Sequence, residues 1–115
     1  ARKVNELHID HCFPWVRWLN NDLWNLLPAS AAVNRSKGDK LPSALALSDA
    51  RDRILDWWQK AYVDSSLQER FFLEAGYSLP TLVEGQPELA DIFVAMQHQR
   101  VRLKADQQLA EWRFQ

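Results

Sequence analysis

Six polar residues in the first 40 positions have the types and spacing for hydrolytic chemistry: Asp10 beside His11, His8 two residues earlier, Asn25, and then Asn34 with Lys37. An imidazole with its ordinary pKa near 6.5 is a good general base at neutral pH. An adjacent carboxylate is a hard oxygen ligand for Mg²⁺ or Mn²⁺. Asn34 and Lys37 are three residues apart and share a face on a helix, so an amide oxygen can ligate a cation while the ammonium meets a phosphate. Adjacent residues of a strand point to opposite faces, so Asp10 and His11 meet in one site only if the chain bends after Asp10. Pro14 and the loop around it permit that bend.

The elements that must position these groups read as follows. Residues 3–11 are extended, with Val4, Leu7 and Ile9 as apolar members, and residues 23–27 form a second short strand ended by Pro28. Between them lies a long aromatic-rich connection with the turn-prone run Asn20, Asn21, Asp22. Ser30 caps a short helix over residues 31–37, with Gly38 just past its end. Thereafter the pattern is helical. One helix runs over residues 48–63 with Ser48 as N-cap and Ile54, Leu55, Trp58, Ala61 and Tyr62 as its apolar set. A capping box from Ser66 to Glu69 opens the next, which stops at Gly76. Residues 77–87 are a loop. A third helix starts after Pro87 and extends to Trp112, with a polar middle at residues 97–100 that faces water or a partner.

Asp-His, a proline three residues after the histidine, Asn25-Leu26, Asn34 nine residues later, and Lys37 with Asp39 together resemble the HNH (ββα-metal) endonuclease family. The pattern is also similar to the HNH domain embedded in the RNA-guided DNA nucleases of CRISPR systems. The resemblance spans about residues 3–43. It implies His11 as general base, Asp10 and Asn34 as metal ligands, and Asn25 as the group that orients His11 or braces the loop. Lys37, with Arg35 and Lys40, would contact phosphate, and His8 would be an outer ligand or substrate contact. One divalent cation, Mg²⁺ or Mn²⁺, is implied as cofactor and DNA as substrate, cut to 5′-phosphate and 3′-hydroxyl ends. Structural zinc is not expected, because Ser30 and Val33 stand where a second cysteine pair would fall and Cys12 is the chain's one cysteine.

The expected fold is therefore α+β: a ββα-metal core over residues 1–43, then about three helices over residues 44–115 packed on it. The six tryptophans help to fill a core that no disulfide can staple. A balance of 14 Lys+Arg against 15 Asp+Glu excludes binding by a global basic field, although residues 1–40 carry six basic against four acidic groups. Specificity would then come from further domains or subunits. Nothing in the sequence spans a membrane or resembles a signal peptide, so a soluble cytoplasmic protein is expected. Two rival readings keep the same core: a non-catalytic protein-interaction module with a remnant ββα unit, and an RNA-directed nuclease.

Overall fold

In the computed structural model, residues 9–13, 18, 20–28, 41–82, 85, 87–107 and 111–112 are described, with only the backbone of Asp10, Gln107, Glu111 and Trp112. Strand β1 (Ile9–His11) pairs antiparallel with β2 (Leu26–Pro28), in the register Ile9↔Pro28, Asp10↔Leu27, His11↔Leu26. Pro28 fits because it closes an edge strand, where a missing N–H costs no ladder bond.

The second strand is shorter than its sequence predicts. Leu23–Asn25 is a 3-10 turn, closed by Asn25 N donating to Asp22 O at 2.9 Å. All three of its residues are buried, which the period-two alternation of a half-buried ribbon cannot achieve, and the tight turn can. The predicted helix over residues 31–37 lies outside the described residues.

The helical body begins four residues earlier than predicted. Strand β3 (Leu41–Pro42) leads into α1 (Ala44–Asp49), whose N-cap is Ser43, not Ser48: the Ser43 hydroxyl accepts from Ala46 N at 3.0 Å. The chain turns at Ala50 and continues as α2 (Arg51–Trp58), so the predicted single helix is two helices sharing one apolar face, Ala46, Leu47, Ala50, Ile54 and Trp58. A π-helical turn (Gln59–Val63) completes it, with Asp64 N donating to Gln59 O five residues back at 2.9 Å.

Helix α3 (Gln68–Ser78) has Leu67 as its N-cap residue and no side-chain cap, in place of the capping box predicted from Ser66 to Glu69; the preceding turn is held by Ser65, whose hydroxyl accepts from Leu67 N at 3.0 Å and donates to Tyr62 O at 2.9 Å. The helix also runs through Gly76 to Ser78, because Ala75 and Leu79 continue the buried face past the glycine. Helix α4 (Leu89–Gln107) starts as predicted, with the Asp91 carboxylate accepting from Glu88 N at 2.9 Å, half of a capping box. Trp112 is not part of it. With Glu111 it forms β4 (Glu111–Trp112), paired parallel with β3, which brings the end of the chain's helical body back to residues 41–42.

The core is built from Trp58, Tyr62 and Phe71, whose rings meet at centroid distances of 5.5 Å, together with Ile92, Phe93 and Met96 of α4. Each fully buried apolar side chain of this size contributes about 1.5–3 kcal/mol. Gln99 and Arg100 correct the expectation of a wet middle for α4. The buried stripe 92, 96, 99/100, 103 follows the helical period straight through them, and both side chains are more than nine-tenths buried. His98, on the other face, is exposed, with Nδ1 3.2 Å from Thr81 Oγ1. The described architecture, mainly helical with four short strands, is compatible with the α+β class. No helix among the described residues is long and apolar enough to cross a membrane.

Candidate active site

Asn25 is the fixed point of the site. Fully buried at the end of the 3-10 turn, its side chain accepts from Phe13 N (2.8 Å) and donates to Phe13 O (3.2 Å) and Asn20 O (3.1 Å). The backbone adds Cys12 N donating to Asn25 O at 2.8 Å. One amide thus satisfies three main-chain groups that a strand ladder of two short segments leaves over. Of the two roles the sequence leaves open for Asn25, the observed contacts are those of a brace: they join the chain just after His11 to the turn at residues 20–22.

His11 stands at the end of β1, partly exposed, with Nε2 2.9 Å from Asn21 Oδ1. The strand runs through His11 and the backbone bends at Cys12 and Phe13, one residue later than the sequence reading asks. Cys12 is fully buried. Asp10 faces Leu27 across the ladder. The side chain of Asp10 and the whole of His8, Asn34, Arg35, Lys37 and Lys40 lie outside the described residues. The structure therefore places His11 and Asn25 on one short loop-and-strand unit. Among the described residues no three His, Cys, Asp or Glu side chains stand close enough to hold a metal ion.

This unit is held from behind by the helical body. Trp58 Nε1 donates to Trp24 O (3.1 Å), while Trp57 Nε1 (3.1 Å) and Tyr62 OH (2.9 Å) both donate to Leu26 O. The carbonyls on either side of Asn25 are thus both engaged by aromatic side chains of α2 and the π turn. Farther along, Glu74 of α3 accepts from Leu23 N at 2.8 Å and Trp24 Nε1 donates to Ser78 Oγ at 2.8 Å. Glu74 is itself held by Arg70 at 2.8 Å, and this carboxylate raises the Arg70 guanidinium above its ordinary pKa. Burial pushes the Tyr62 phenol up, with the Trp57 hydrogen bond opposing.

Two parts of this arrangement escape the sequence reading. Asn21 is there only a turn residue, although its neighbour Asn20 and Asp22 mark a stitched loop. Trp57, Trp58 and Tyr62 are there only core residues, and their polar tips are what reach the site.

Residues 2–43 match the family model of the HNH endonucleases. The HNH segment so defined contains β1, the 3-10 turn, β2 and β3, and every residue predicted to carry chemistry. No curated protein and no solved structure matches the chain. HNH nucleases act on nucleic acid and generally use a divalent metal, so the match points to nuclease chemistry for this segment.

Proposed function

We propose that the chain is a metal-dependent endonuclease that hydrolyses DNA phosphodiester bonds with water activated at His11. The observation that carries this reading is the position of His11 within the HNH segment: a partly exposed imidazole at a strand end, with Nε2 2.9 Å from Asn21 Oδ1, on a loop braced by Asn25.

His11 takes a proton from water as the water oxygen bonds to phosphorus and the bond to the 3′-oxygen breaks, leaving 5′-phosphate and 3′-hydroxyl ends. Asp10 and Asn34 offer a carboxylate and an amide oxygen, a donor set that fits Mg²⁺ or Mn²⁺ better than zinc. When bound there, such a cation stabilises charge on the phosphate and the leaving oxygen. Arg35, Lys37 and Lys40 hold neighbouring phosphates, and His8 is an outer contact. The helical body keeps Asn25 and Leu26 in place, and the near-neutral chain leaves target choice to a partner or another domain.

A plasmid-nicking assay with Mg²⁺, Mn²⁺ or EDTA tests this. Wild type should cut only with metal, and His11→Ala should lose about 10²–10⁴-fold in rate, the usual contribution of a positioned base. Cutting by His11→Ala at the parental rate would overturn the assignment, and metal-independence of the wild type would overturn the mechanism.

A further inference from the structure

Helix α3 has two working faces. One carries Phe71 and Ala75, fully buried, with Glu74 and Ser78, which meet Leu23 N and Trp24 Nε1 of the HNH segment. The other carries Phe72, Leu73, Gly76 and Tyr77, which with Leu82 and Pro87 line an open hollow of about 330 Å³. A second hollow, of about 550 Å³, shares Phe72, Gly85 and Pro87 with the first and reaches Gln68 and Glu88. The two make one groove between α3 and the chain that leads into α4, and each falls within the roughly 300–1,000 Å³ of ordinary binding pockets.

Leu73 and Tyr77, one helical turn apart, are 56% and 84% exposed along this groove. With the half-buried Phe72 and Leu82 they form a contiguous apolar patch, which on a folded chain marks a contact surface. Gly76 lies between them in the helix interior, where glycine costs stability relative to alanine, and nothing stands within 4 Å of the place a Cβ would take. No close approach requires a glycine there, so what the missing side chain provides is depth of groove. Gly76 is also about 160° around the helix from Glu74 and from Ser78, so an occupant leaves their bonds to Leu23 and Trp24 in place.

The charge around the groove is one-sided. Glu88 lines it and is exposed, and Glu69, exposed and one turn before Phe72 and Leu73, shares their face of α3. From residue 71 to residue 99 the sequence holds Glu74, Glu84, Glu88 and Asp91 and neither Lys nor Arg. Arg70, just before this stretch, is taken by Glu74 at 2.8 Å. The occupant that such a surface selects is apolar in the middle and positive at its ends. We propose that the groove binds a short segment of a partner protein in which two apolar side chains, one for each hollow, are flanked by Lys or Arg. None of the groove's lining residues belongs to residues 2–43, so this inference stands apart from the nuclease reading.

The test is a selection with a displayed library of random short peptides, panned on the full chain and in parallel on Gly76→Leu, whose leucine fills the groove floor. Leucine is a good helix former and enters open space, so this variant should melt at or above the wild-type temperature. Peptides enriched on the wild type alone should carry two apolar residues with flanking Lys or Arg, and lack Asp and Glu. A synthetic copy of the best of them should bind Gly76→Leu at least about tenfold more weakly, because an apolar anchor loses its seat. Glu88→Lys should weaken it about three- to tenfold at low salt, an effect that shrinks at high salt. No enrichment over Gly76→Leu, or enriched peptides that are acidic or indifferent to Glu88→Lys, would overturn the proposal. So would a wild-type dimer, seen by sedimentation, that Gly76→Leu dissociates, since the occupant would then be a second copy of this chain.

Discussion

Between Ile9 and Pro28 the chain makes two three-residue strands and one 3-10 turn, which bury Cys12, Phe13, Leu23, Trp24 and Leu27 in the common core and are tied by single side chains: Asn25 inside the unit, and Trp57, Trp58, Tyr62, Glu74 and Ser78 from outside it. From Ala44 to Gln107 the same apolar core continues around Trp58, Phe71, Ile92 and Met96, and there the helices satisfy their main-chain groups by their own backbone bonds. Both regions rest on buried apolar area; the first depends in addition on directional side-chain bonds with few substitutes, because its short strands leave main-chain groups over. A reactive loop is thereby set to a fixed geometry by directional bonds to the helical body on which its apolar side chains are packed.

That contrast can be broken most severely at Asn25. Asn25→Leu removes bonds to Phe13 N, Phe13 O and Asn20 O together, and at about 1–3 kcal/mol for each buried group left unsatisfied the cost should reach about 3 kcal/mol or more. Chemical denaturation should show the loss, and amide exchange should place it in residues 9–28 ahead of the helices. Trp58→Phe is the next test. It keeps a buried ring in the helical core but removes the N–H to Trp24 O together with part of the indole volume, so at least about 1–3 kcal/mol should be lost, with the hydrogen-bond share falling on residues 9–28 and the cavity share on the helices. For Asn25→Leu, a loss spread evenly over both regions would show that they are one cooperative unit.

Tyr62→Phe should cost about 0.5–1.5 kcal/mol, because Trp57 still donates to the Leu26 carbonyl. It should also change the alkaline behaviour. Burial raises the phenol of Tyr62 above its ordinary value of 10.0, so its stabilisation is complete below about pH 10 and declines as pH rises through the higher folded value. Thermal melts of Tyr62→Phe should lack that part of the decline. The smallest effect runs the other way. Gly76 sits inside α3 with open space where a Cβ would go, so Gly76→Ala should stabilise by about 0.5–1 kcal/mol, leaving cleavage unchanged.

What the sequence reveals divides along the same line. Residue type and spacing reveal the Asp10-His11 and Asn25 pattern and the resemblance that the family match bears out, because chemistry constrains those positions locally. The start of α4 and the extended run into His11 are legible for the same reason. The caps are less so: Ser43 and Ser48 offer equivalent hydroxyls, and only the apolar face set by tertiary packing decides between them. Gln99 and Arg100 look like a solvent face by composition, yet the helical period carries them into the core. Asn21 is hidden because its partner is ten residues away across a turn, and Trp112 because its pairing with Pro42 spans the whole helical body.

The π turn between α2 and α3 carries a further consequence. Trp57 and Tyr62 are five residues apart, which on a regular α-helix leaves them about 140° apart around the axis. With the wider turn their rings meet edge to face at 6.1 Å and both polar tips reach the same carbonyl of Leu26. The extra residue works as a phase shifter. The π turn therefore absorbs one residue more than the four-residue spacing that a regular α-helix already brings onto one face: many substitutions between Gln59 and Val63 would leave the grip on Leu26 intact, while changing the five-residue turn to an α-helical one without shortening it would swing one of the two fingers off the strand.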